Sequence, residues 1–151
     1  MPVGLQDETR AIYRELVTLG TELLRWIQAQ TPADIAATFT MPLDAMMYES
    51  QESLLRILHY PPVVAPEPDA IRAAAHEDIN LITLLLSGSK PGLQARDAAG
   101  TWHSISCDPG MITINNGDML AMASSNYYPS TTHRVINPDV HANQSRYSMP
   151  M

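Results

Sequence analysis

The chain has 151 residues, 45% apolar and 17% charged, which suits one domain with a buried core and leaves no disordered or collagen-like tract. A formal net charge of -7 argues against a phosphate-backbone partner, because nucleic-acid binding runs on Lys and Arg. No apolar run reaches membrane-span length, no signal-peptide pattern follows Met1-Pro2-Val3, and the lone Cys107 cannot form an internal disulfide, so no membrane association and a reducing, cytoplasmic location are expected.

The chain opens with helix. Ile12, Leu16, Leu19, Leu23 and Ile27 are spaced to draw one apolar stripe down a helix, read as packing surface. Asp7 is expected to cap it, and Thr31-Pro32 to end it and restart a short second helix with Thr31 as cap. Met41 to Met47 has no clear period and reads as a loop lining a cavity. Residues 1–52 thus form a helical support segment, and 53–151 a β core, within one domain.

Ser53 to Tyr60 reads as the first strand, stopped by Pro61-Pro62, and Pro61, Pro62, Pro66 and Pro68 make a stiff connector. Short strands follow. In His76-Glu77-Asp78 a period of two puts His76 and Asp78 on one face and Glu77 on the other. The apolar run from Leu81 to Leu86 is a strand. Leu93 to Arg96 and Thr101 to Ile105 form a hairpin around Asp97 to Gly100. Asp108-Pro109-Gly110 suits a type II turn, and Met111 to Ile114 is a strand ended by Asn115-Asn116-Gly117-Asp118, where Asn-Gly tolerates positive φ. Thr131 to Ile136 and Ser145 to Met151 supply the last two strands. The pattern suggests a sandwich or jelly roll, with no repeat period.

An imidazole and a carboxylate on one face, joined by one distant histidine, make the two-His-one-carboxylate donor set that grips one face of Fe(II). His76 and Asp78 alone read as a surface salt bridge or hydrogen-bonded pair ahead of a metal site. The order of several motifs narrows this: His76 to Leu85, Gly92-Leu93-Gln94, Asn116-Gly117-Asp118, Asn126 to Val135 and Arg146-Tyr147-Ser148. In that order they resemble the isopenicillin N synthase-like family of 2-oxoglutarate- and Fe(II)-dependent oxygenases, closely over 53–151 and loosely over the leading helices.

The resemblance implies a mainly β fold with N-terminal helices, a double-stranded β-helix of the cupin-like jelly-roll kind. His76, Asp78 and His133 would hold iron. Arg146 and Ser148, on one face by strand period, would bind the distal carboxylate of 2-oxoglutarate, with Tyr60 helping; Leu58 stands where the family often has asparagine. The implied activity is O2-dependent oxidation of a small organic substrate coupled to decarboxylation of 2-oxoglutarate. Asp78 favours hydroxylation, desaturation or ring closure, because family halogenases carry a small residue there. Two alternatives stay open: an iron oxidase without 2-oxoglutarate, and a truncated, non-catalytic metal-binding β-domain. Family members usually have a further N-terminal segment and a C-terminal tail, so a short form with exposed apolar faces is expected to associate as a homodimer.

The remaining candidates read as structural. His59, His103 and His141 are surface or strand-packing histidines; Arg134 faces away from the site; Glu77 pairs across strands or meets solvent. Cys107 is a packing residue, Asn116 and Asp118 serve turn geometry, and Trp102 is core.

Overall fold

The long apolar stripe does form one helix. A computed structural model describes residues 3–48, 50–63, 70–137 and 143–151, and its first helix, α1, runs Leu5–Gln30. Asp7 lies in the first turn; the cap position is Gly4 at φ 86°, so the helix begins earlier than its side-chain signal suggested. Thr31 closes α1, its hydroxyl donating to the Ile27 carbonyl at 2.6 Å, while Pro32 occupies the cap of α2, Ala33–Ala36. The stretch read as a Met-rich loop is helix α3, Leu43–Tyr48. It packs on α1, where Arg25 Nε donates to Asp44 Oδ2 at 2.7 Å. Gly20 permits this closeness: a Cβ there would lie 2.8 Å from the Met47 methyl carbon.

The first strand is shorter than expected: β1 is Leu58–Tyr60. Upstream, the Arg56 amide still donates to the Pro150 carbonyl at 2.9 Å, but proline returns no N–H and the ladder lapses. Then come β2, Ala73–His76; β3, Ile82–Leu86; β4, Leu93–Arg96; β5, Trp102–Ser104; and β6, Ile112–Asn116. Asp97 Oδ1 accepts the Ala99 and Thr101 amides and Gly100 adopts φ 86°, giving the expected hairpin turn. Met111 N donates to the Asp108 carbonyl at 3.2 Å with Gly110 at φ 85°, as a type II turn requires.

The expected turn at 115–118 is absent. Asn115 and Asn116 belong to β6, and Gly117, at φ -113°, precedes a helix, α4, Asp118–Ala123. Gly117 serves close approach instead of positive φ: a Cβ there would sit 2.2 Å from the Asn80 carbonyl oxygen. The last strands are β7, His133–Val135, and β8, Arg146–Pro150. Pro66, Pro68 and His141 lie outside the described residues.

Among the described residues eight strands form two four-stranded antiparallel sheets, ordered β1-β8-β3-β6 and β2-β7-β4-β5. This is the expected double-stranded β-helix with helices on one side. Period-two alternation in β3 divides its duties. Ile82 and Leu84 join Leu16, Leu24, Leu43, Leu81, Leu120 and Met151 in the core under the helices, whereas Thr83 and Leu85 point between the sheets. Burying each such leucine contributes roughly 1.5–3 kcal/mol. No helix among the described residues is long and apolar enough to cross a membrane.

Candidate metal centre

The site begins where β2 ends. His76 and His133 are register partners across the β2–β7 pair, with an irregularity between Ala73 and His76. The chain then turns away over residues 77–81, and the start of α4 fastens that loop. Asp118 N donates to the Asp78 carbonyl at 2.8 Å, Met119 N to the Ile79 and Asn80 carbonyls at 3.1 Å, and Gly117 N to the Leu81 carbonyl at 3.0 Å.

This brings three donors to one point. One ligand-capable atom each of His76, Asp78 and His133 lies within 4.8 Å of the others. Asp78 Oδ1 stands 4.0 Å from His76 Nε2 and 3.9 Å from His133 Nε2. Each ring's other nitrogen is engaged: Nδ1 lies 2.7 Å from the Ala74 carbonyl in His76 and 3.0 Å from the Thr131 carbonyl in His133. Carbonyls only accept, so Nδ1 is the donor in both rings, which leaves Nε2 as the nitrogen nearest Asp78 and the one available to a metal.

Asp78 is held from behind. Its Oδ2 accepts the Thr83 hydroxyl at 2.5 Å and the Asn115 amide at 2.9 Å, while Asn80 Nδ2 donates to Thr83 Oγ1 at 2.9 Å. Thr83 and Asn115 are register partners on β3 and β6, so the sheet itself sets this pair. Burial works to raise the Asp78 pKa, but the Thr83 and Asn115 hydrogen bonds and the two imidazoles together hold it below the ordinary carboxylate value. The carboxyl is therefore an anion whose Oδ1 has no hydrogen bond among the described residues and is turned toward the two imidazoles.

Between the sheets lies a cavity of about 160 Å³ whose wall includes the three donors, Tyr60, Arg146 and Ser148. Arg146 is only 2% exposed and Ser148 5%, whereas Tyr147 is 48% exposed and stacks on His59 at 4.7 Å, the alternation expected of β8. Arg146 Nε donates to the Lys90 carbonyl at 3.0 Å, and its guanidinium lies 5.4 Å from the Tyr60 ring centre. Gly88 leaves room for it, since a Cβ there would lie 2.6 Å from Nη2. Burial pushes the Arg146 pKa down, yet a guanidinium keeps its charge. Its Nη1 is buried without a hydrogen-bond partner among the described residues. A carboxylate is the group that such a fork fits, so a dicarboxylic co-substrate chelating a metal at the donor end matches this cavity. Leu58 contributes only apolar wall.

The other candidates stand apart. His59 Nε2 contacts Ser145 Oγ at 3.0 Å and His103 Nε2 contacts Asp97 Oδ2 at 2.7 Å. Glu77 Oε1 accepts the Thr132 hydroxyl, and Cys107 is half-buried. Arg134 faces outward over the Trp102 ring at 4.1 Å, so Trp102 is a half-buried surface platform and not core. Asn116 and Asp118 make no turn: the Asn116 carbonyl accepts Thr131 N, and Asp118 Oδ1 accepts the Ser130 hydroxyl. Sequence reasoning missed Thr83, Asn115 and Asn80. A lone threonine inside the apolar run of β3 was the available signal.

Comparison with known proteins agrees with this geometry. The profile of the 2OG-Fe(II) oxygenase superfamily matches residues 51–151. The 2-oxoglutarate-dependent dioxygenase citB of Monascus ruber is 38% identical over 101 residues, covering 63% of this chain and 29% of the relative. A candidate oxygenase from Shewanella oneidensis superposes with TM-score 0.90 at 49% identity, over 99% of this chain and 56% of that one. A full-length Neurospora crassa protein, solved in complex with alpha-KG and thymine, gives TM-score 0.79 at 28% identity, over 98% of this chain and 45% of that one. The chain thus spans well under two thirds of the relatives it matches. With the profile covering most of its length, the chain belongs to the 2OG-Fe(II) oxygenase superfamily.

Proposed function

We propose that the protein is an Fe(II)- and 2-oxoglutarate-dependent oxygenase of a small organic molecule, with His76, Asp78 and His133 as iron ligands and Arg146, Ser148 and Tyr60 as the co-substrate clamp. The observation that carries this is the pairing, in one cavity, of a three-donor cluster with a buried guanidinium nitrogen that has no partner among the described residues.

His76, Asp78 and His133 would hold the iron, and Arg146 with Ser148 would hold the far carboxylate of 2-oxoglutarate. When bound, iron would supply the oxidising chemistry, with O2 as the four-electron oxidant shared between conversion of 2-oxoglutarate to succinate and CO2 and a two-electron oxidation of the substrate. The chain's own residues do the rest. Thr83 and Asn115 keep Asp78 Oδ1 turned to the imidazoles; Arg146 sets the far end of the co-substrate; Leu85, Leu93 and Val135 exclude water from the cavity. Hydroxylation, desaturation and ring closure all fit an intact carboxylate ligand at Asp78.

The test is anaerobic titration with Fe(II) and 2-oxoglutarate. A weak visible charge-transfer band, lost in Arg146→Ala with iron retained, is expected, followed by succinate release on adding O2 and substrate. An unchanged band in that variant overturns the clamp, and O2 consumption without succinate shifts the reading to an oxidase. To the same proposal belong a cytoplasmic location and a homodimer through exposed apolar side chains such as Ile79 and Met122; a clean monomer by light scattering removes the dimer.

A further inference from the structure

A second, larger cavity of about 560 Å³ adjoins the first. Arg56, Asp78, Thr83 and Pro150 appear in the walls of both. The larger one lies between the helices, the 77–81 loop with the start of β3, and the stretch before β1, with Met46, Met47, Met119, Leu54 and Ile79 among its lining residues. It is a mostly apolar chamber that meets the site at Asp78.

The segment leading into β1 carries the connection. Leu54 lines the large cavity, Arg56 both, and Leu58 and Tyr60 the small one, so alternate residues trace a path from the wide chamber to the clamp. Arg56 stands at the junction. Its side chain is exposed and has no hydrogen bond or ion pair among the described residues, although the chain as a whole carries an excess of acidic groups. Among the described residues it is the one cationic side chain lining the large cavity. Of the acidic groups there, Glu77 accepts from Thr132 and Asp78 is held by Thr83 and Asn115, leaving Glu52 exposed.

We infer that the large cavity is the substrate chamber and that Arg56 anchors a carboxylate on an apolar, ring-bearing substrate whose body lies against the methionines. This rests on the oxygenase reading above and adds the substrate's chemical class. A guanidinium reads a carboxylate through two parallel hydrogen bonds, and thioethers make favourable contacts with aromatic rings while adapting to irregular shapes. Placing the charge at the junction orients the body outward and presents the carbons nearest the carboxylate to the metal end.

The test uses 4-phenylbutyrate as probe, with 4-phenylbutanol and 4-phenylbutylamine as neutral and cationic counterparts, by calorimetric titration of the full chain. Phenylbutyrate is expected to bind more tightly than either counterpart. Arg56→Ala should weaken phenylbutyrate by about tenfold or more and leave phenylbutanol unchanged, with Arg56→Lys restoring part of the loss. Binding should survive Arg146→Ala. Equal affinity for acid and alcohol, no effect of Arg56→Ala, or loss of acid binding in Arg146→Ala each overturns the inference. The iron–2-oxoglutarate band separates the two readings: if it forms and phenylbutyrate ignores Arg56, the substrate class alone is wrong. If it never forms, the oxygenase reading falls, and the Arg56 titration still decides whether the chamber takes carboxylates.

Discussion

Thr83 donates its hydroxyl to Asp78 Oδ2 at 2.5 Å and so decides which oxygen of that carboxylate faces the two histidines. Removing the hydroxyl while keeping the shape isolates this role. Thr83→Val should lower Fe(II) affinity by roughly 10–100-fold, the usual effect of losing a partner behind a metal ligand. Anaerobic metal titration measures it, and an affinity equal to wild type refutes it. Asn115→Ala should act in the same direction.

Arg146 predicts an opposition between stability and binding. A buried cation whose Nη1 finds no partner among the described residues costs stability until an anion arrives. Arg146→Met should therefore leave the ligand-free protein as stable or raise its stability by about 1–3 kcal/mol, while abolishing the thermal shift that 2-oxoglutarate gives the iron-loaded wild type. Thermal melts with and without co-substrate check both halves. A destabilised variant that keeps the shift contradicts the assignment.

Gly117→Ala drives a methyl into the Asn80 carbonyl oxygen, 2.2 Å from where the Cβ would sit. The contact is with backbone, so the 78–80 loop must move. A loss of roughly 1–3 kcal/mol is expected, together with weaker metal binding, because that loop carries Asp78. Leu84→Ala, on the helix side of β3, should cost about 2–5 kcal/mol yet leave metal affinity intact in the folded fraction. Comparing the two variants separates damage to the site from damage to the core.

The β4–β5 turn titrates. The hydrogen bond from His103 is the main cause holding the Asp97 carboxyl below the usual carboxylate range, with the Thr101 and Ala99 amides adding to it. A carboxyl whose folded pKa is depressed gives its full stabilisation above the unfolded value of about 3.9 and loses it as pH falls through the folded one. The protection of the hairpin amides, taken relative to their intrinsic exchange rates, should therefore fall below about pH 4 in wild type. Asp97→Asn should remove that acid step; an unchanged profile would dismiss it.

The parts of this protein legible in its sequence share one property: their signal is local. The stripe on α1, the Asp97–Gly100 hairpin and the Asp108-Pro109-Gly110 turn depend on neighbours in the chain, and each formed where spacing and turn chemistry placed it. The Arg146–Ser148 alternation is local too. What failed to show was set by distant partners. Gly117 looks like a turn residue until Asn80 is seen against it. Met41 to Met47 lacks an apolar period, and α3 forms because α1 offers it Gly20 and Arg25. Trp102 looks like core until Arg134 is found lying over its exposed face. Thr83 and Asn115 acquire their purpose only through the register that sets them side by side.

The facing of His76 and His133 across β2 and β7, at the lip of their sheet, has a mechanical corollary. An ion gripped by both rings and by Asp78 would rivet two strands whose ladder is already broken beside it. Loss of the ion and fraying of that lip would then be a single event. Amide protection in β2 and β7 would report occupancy with no turnover needed, and a chelator would loosen this sheet while the helix-backed one stayed shut.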